Sequence, residues 1–169
     1  MNVDTELKTI IWQQFGAAID MLENAISACP EDVWSDRSRQ PEYWYLVYHT
    51  LFWLDLYLSE SRDNFAPPDP FNLDELDPAG LFPERVYTKT EMQTYLEHGR
   101  EKCRNRIATL TEEKARARFV IGKRDFSVLE TLIYCMRHVQ HHSAQLNLIL
   151  RQRTDSAPRW VGRTKRELN

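Results

Sequence analysis

The run from Tyr43 to Leu58 constrains this chain most, because it is apolar on nearly every side and is interrupted by His49 and Asp55. It is shorter than the roughly 20 apolar residues that span a bilayer, so it predicts a buried helix rather than a membrane span. Beginning after Pro41 and ending near Ser59, this helix places Tyr45, Leu46, His49, Phe52, Trp53 and Leu56 along one side, while its other faces are also largely apolar. Such a helix has to be surrounded, which requires other amphipathic elements around it. With 169 residues, 42% of them hydrophobic, and only five glycines, the chain has the material for one compact domain with a substantial core.

Three further segments supply those elements. Leu7, Ile10, Ile11, Ala18, Met21, Leu22 and Ala25 recur at intervals of three and four, predicting a first helix over 5–28 that closes at Pro30. A third helix starts at Thr88 or Thr90, since each is followed three residues later by Glu91 or Gln93, the spacing of a capping box; Met92, Leu96, Cys103, Ile107 and Leu110 form its seam. Gly99 within that seam points to close approach of a neighbouring backbone. A fourth helix opens at the Ser127/Glu130 capping box and runs to about Arg151. Residues 118–126 form a short hairpin turning at Gly122-Lys123. The expected fold is an all-α four-helix bundle over 1–151, with residues 152–169 as a polar, basic and partly mobile tail. Its connection between the second and third helices, Ser61 to Tyr87, holds five prolines and is long for a compact domain, so it must cross over or cover something.

The chemistry concentrates in the fourth helix, in the stretch His138-Val139-Gln140-His141-His142-Ser143-Ala144-Gln145. A spacing of four is about one helical turn, so the imidazoles of His138 and His142 stack on one face and can grip one ion without bending the backbone. At about 100° per residue, His142 projects within about 60° of Val139 and Leu146, and His138 about 40° away. Burying two imidazoles requires partners for their ring nitrogens, and a divalent cation satisfies both. His49, embedded in the apolar second helix, is the third ligand by pattern. Three neutral imidazoles leave a coordination position open, as in catalytic zinc sites. Nickel and iron also accept imidazole, so zinc and nickel lead without excluding iron.

Blander readings stand beside this one. Each histidine could be a core residue hydrogen-bonded to its own neighbour, giving a scaffold with no ion. His141 turns away from the apolar centre as a solvated or supporting residue, and His98 reads as a surface residue. The aromatic wealth of Tyr43, Trp44, Tyr45, Tyr48, Trp53 and Tyr57 reads as core packing, with a pocket wall as the alternative. Cys135 reads as a small buried hydrophobe before a fourth ligand or a nucleophile. Asp55 and Glu130 project away from the histidine faces and supply no evident general base. The arginines at 104, 106, 116 and 118 read as a solvated face.

A net charge of −3 gives no basic surplus for phosphate backbones, which argues against nucleic acid as the principal partner. The first residues, Met1 to Glu6, lack a basic segment followed by an apolar core, and three unpaired cysteines fit a reducing compartment. The expectation is a cytoplasmic protein with no membrane segment.

The mid-helix His49 followed far downstream by His138, His142 and Gln145 in a His-x-x-x-His-x-x-Gln pattern resembles the DinB-like (YfiT-like) metal-binding bundles. The resemblance covers most of the chain in helix order, although only this short motif is shared, and Ser143-Ala144 stands where the family often has Arg-Gly. It implies that His49, His138 and His142 hold a divalent metal, that the protein is a homodimer, and that a small-molecule substrate reacts with a low-molecular-weight thiol or water activated there. The alternative expectation is a non-catalytic metal or small-ligand binding protein of a stress response.

Overall fold

Asp4 caps the first helix, its carboxylate accepting hydrogen bonds from the Glu6 and Leu7 amides of α1 (Thr5–Ala28). A computed structural model describes residues 3–80 and 82–168. Met1, Asn2, Leu81 and Asn169 lie outside the described residues, and with them the ends of the expected N-terminal segment and tail. After α1 come the short α2 (Glu31–Trp34), α3 (Tyr43–Tyr57), a single 3-10 turn (Asp74–Leu76), α4 (Lys89–Ala108), α5 (Glu112–Arg116), β1 (Arg118–Ile121), β2 (Arg124–Ser127) and α6 (Val128–Thr154). The fold is therefore mostly helical, with six helices among the described residues and one hairpin.

The four predicted helices correspond to α1, α3, α4 and α6. Both α1 and α3 pack against both α4 and α6, so the long helices enclose one shared core. Trp12, Phe15, Ile19, Leu22 and Ile26 line the inner face of α1, and α3 contributes Trp44, Val47, Tyr48, Leu51 and Leu54. Each such side chain fully removed from water contributes about 1.5–3 kcal/mol, so this core outweighs any local helix preference. Among the described residues, no helix is long and apolar enough to cross a membrane.

Local signals choose the helix starts. Thr88, not Thr90, caps α4 through a reciprocal box with Glu91, whose carboxylate also pairs with Arg85. At α6 only half of the expected box forms: Ser127 accepts from the Glu130 amide at 3.1 Å. The hairpin turns where expected, with Phe119 opposite Phe126 and Gly122 at φ +57°, a left-handed conformation that glycine adopts without steric cost.

Two expectations change. Gly99 does not meet a neighbouring backbone; a Cβ there would sit 2.9 Å from Cδ2 of Leu54, so the close approach is a buried side chain of α3. The C-terminal tail does not drift from the fold. The Thr164 amide donates to the Gln13 carbonyl at 3.1 Å, and the Trp12 indole donates to the Arg166 carbonyl at 2.8 Å. Thr164 packs on Gly16, which leaves room only because it lacks a Cβ: an added one would lie 2.5 Å from Cγ2 of Thr164. The tail is polar overall, but a few backbone and methyl contacts dock it along α1.

Buried charge ties the helices together away from the histidines. Arg100, 1% exposed, donates to Asp20 and Glu23 of α1 and to Glu97 one turn back. Asp55 is fully buried and accepts from the Tyr95 hydroxyl, His98 and Lys102 of α4. His98 is thus exposed but engaged, and Asp55 is committed far from the histidine face.

Candidate metal centre

α3 and α6 bring His49, His138 and His142 together. One ligating atom from each lies within 4.8 Å of the other two, and all three side chains are half-buried. The Nε2 atoms of His49 and His138 are 3.3 Å apart, and those of His138 and His142 are 3.0 Å apart. A tetrahedral ion about 2.0–2.1 Å from each nitrogen would set neighbouring nitrogens about 3.3 Å apart, so the spacing is compatible with a ligand set.

Hydrogen bonds at the far side of two rings fix their tautomers. The His49 Nδ1–H donates to the Glu75 carboxylate, and the His142 Nδ1–H donates to Oε1 of Gln145 at 2.7 Å. In the neutral rings both Nε2 atoms are therefore lone pairs facing the centre. His138 carries at most one hydrogen on Nε2, which can serve one of those lone pairs but not both. Its Nδ1 is buried without a partner in either tautomer. Three converging nitrogens with too few protons between them fit a cation better than a hydrogen-bonded cluster.

Burial pushes the His138 imidazolium down to about 3, and the charges of His142, His49, His141 and Arg124 add to that effect. Burial also pushes His142 down to about 4, against the opposing hydrogen bond to Gln145. Both rings are thus neutral, the form that binds metal, across the physiological range. Burial resists the charge of Glu75, but donors from His49, Trp53 and Tyr45 outweigh it and hold the carboxyl below its usual range.

Glu75 is the residue that sequence reasoning missed. The 3-10 turn of the proline-rich connection lays it over α3, where Oε1 also accepts from the Trp53 indole at 3.0 Å and Oε2 from the Tyr45 hydroxyl at 2.9 Å. The one available signal was indirect: a ligating histidine needs an acceptor behind it, and this connection had to cover something. Tyr45 and Trp53 accordingly serve the site, whereas Tyr43, Trp44, Tyr48 and Tyr57 are core. His141 is exposed, its ring 5.0 Å from that of His142. Cys135 is buried outside the cluster, and burial raises its thiol, which suits the hydrophobe reading over a nucleophile. Ser143, at a position of departure from the family pattern, is buried and donates to the Val139 carbonyl.

Two cavities flank the cluster. One of about 610 Å³ lies between α1, α6 and the tail, with His138, Arg137 and Trp160 on its walls. The other, about 460 Å³, lies between Trp53, Glu75 and the hairpin turn.

No curated protein matches this chain. Residues 14–146 match the DinB superfamily, a span that begins in α1, ends in α6 and contains all three histidines. With most of its length matched, the chain belongs to the DinB superfamily.

Proposed function

We propose that His49, His138 and His142 bind one divalent cation, zinc or nickel, and that the protein is a metal-dependent enzyme acting on a small molecule through an activated low-molecular-weight thiol or water. The convergence of three Nε2 atoms carries this reading. A bound ion of this kind lowers the pKa of a coordinated water to about 7 or deprotonates a coordinated thiol. Glu75 and Gln145 orient two of the rings and hold their protons at Nδ1, leaving Nε2 for the ion. Tyr45 and Trp53 in turn hold Glu75 in place.

The same reading takes α1, α3, α4 and α6 as a four-helix bundle over 1–151, with residues 61–87 as its long crossover and 152–169 as an appended tail. The assembly is a homodimer, for which exposed Leu7 and Ile10 on α1 and Ile133 and Leu148 on α6 offer apolar contact area. Three free cysteines suit a cytoplasmic setting.

One observation favours a second reading, a non-catalytic metal or small-ligand binding protein. The Glu75 carboxylate already accepts three hydrogen bonds, so the nearest carboxylate is not free to take a proton. Assays of metal-loaded, tag-free protein with several thiols and electrophiles separate the two. Transfer abolished by His138→Ala supports the enzyme; stoichiometric metal without turnover for any pair supports the binding protein.

A further inference from the structure

We propose that the cavity between the β1–β2 turn and the 3-10 turn is a binding pocket for a small-molecule anion, a carboxylate or phosphate, with Lys123 and Arg124 as its counter-charges. This deepens the proposed function by naming the substrate class, and it rests on the histidine cluster being the reacting centre.

The cavity, about 460 Å³, is of the size that holds a small organic ligand. Its walls are mixed: Trp53, Leu76 and Ile121 offer apolar surface, and Lys123 and Arg124 bring positive charge. The left-handed Gly122 lets the hairpin turn tightly, placing these two cations consecutively beside the opening.

What makes the charge informative is that neither cation is paired. Neither Lys123 nor Arg124 has an ion pair or side-chain hydrogen bond among the described residues, although the nearby Arg118 is paired with Asp125 of the same hairpin. Glu75, on the opposite wall, is occupied by His49, Trp53 and Tyr45. Arg62 also lines the cavity, and it shares an adjoining one with Asp63, Asp74 and Asp77.

Arg124 is held by its guanidinium carbon 5.5 Å from the Tyr134 ring centre, a cation–π contact that keeps it at the wall. From there a chain of rings leads inward, Tyr134 to Tyr57 at 5.3 Å and Tyr57 to His138 at 6.2 Å. On the other wall, Glu75 touches His49 directly. The pocket therefore meets the histidine cluster through two of its lining residues, Glu75, bonded to His49, and Trp53, whose ring lies 6.3 Å from that of His49. A ligand with its anion at Lys123 and Arg124 and its apolar body against Trp53 lies beside that cluster.

The test is calorimetric titration of the full-length, metal-loaded protein with succinate and, separately, inorganic phosphate at low salt. Both cations are exposed, so binding should weaken as salt screens them. The Lys123→Glu/Arg124→Glu double variant should weaken binding at least about tenfold, while Arg137→Glu, on the wall of the other cavity, should leave it unchanged. If the double charge reversal disturbs the hairpin, Lys123→Gln/Arg124→Gln replaces it. The tighter of the two anions assigns carboxylate or phosphate. No binding of either anion, binding unaffected by the Lys123 and Arg124 changes, or equal loss in Arg137→Glu would overturn the proposal. Metal content measured on the same samples keeps the two readings apart. One metal per chain without anion binding defeats the pocket alone, and failure to load metal defeats the centre itself.

Discussion

His49 and Glu75 are joined through a ring nitrogen and a carboxylate oxygen although 26 residues separate them in the chain. The proline-rich connection is thus part of the candidate centre, and its 3-10 turn sets which nitrogen of His49 faces the other two histidines. Glu75→Gln replaces the carboxylate with a weaker acceptor while keeping its shape. The variant is expected to bind metal about 10–100-fold more weakly, as seen when an outer hydrogen-bond partner of a ligand is lost, with full occupancy restored at excess metal. Competition with a chromophoric chelator measures this, and an unchanged affinity would remove Glu75 from the centre.

The lowered pKa values of His138 and His142 make a pH prediction for the metal-free protein. In the unfolded chain these imidazoles take up protons below about pH 6.5. In the folded protein they resist protonation until about 3 and about 4. The unfolded state therefore binds more protons within that window. Their contribution to stability is fully present above about pH 6.5 and is lost as pH falls toward the folded values. The urea midpoint of metal-free protein should drop between pH 7.5 and pH 5, and His138→Gln should flatten the slope. A wild-type midpoint independent of pH over this range would contradict the burial of these rings.

Gly16→Ala tests the docking of the tail. The added methyl collides with Thr164, while alanine improves the helix by about 1 kcal/mol over glycine. Overpacking typically costs about 1–3 kcal/mol, so the cheaper response is release of the tail. Trypsin should then cut at Arg159, Arg163 or Lys165 faster than in the wild type, with the metal site unaffected. Equal protection of the tail in both proteins would contradict the packing of Thr164 on Gly16.

What the sequence made legible was local. The pairing of His138 with His142 follows from helical spacing, and His49 stood out because a polar residue in an otherwise apolar helix needs a reason. Thr88 and Ser127 marked helix starts, and Gly122 marked the hairpin turn, each by a signal contained within a few residues. The unpredicted features are non-local or too short to show a period. α2 and α5 span four and five residues, too few for a recurring apolar face. Glu75 looks like any acidic residue in a polar connection until the chain folds back over α3. The tail is polar in composition, and its docking depends on the missing Cβ of a glycine about 150 positions earlier, a fit that only tertiary structure brings about.

Tag-free protein purified without nickel columns, analysed by plasma mass spectrometry beside His142→Ala, tests the metal centre most directly. One zinc or nickel per chain in the wild type, falling well below stoichiometry in His142→Ala but not in His98→Ala, is the predicted result. Full occupancy in His142→Ala, or a wild-type protein that takes up neither ion when both are offered, would contradict it.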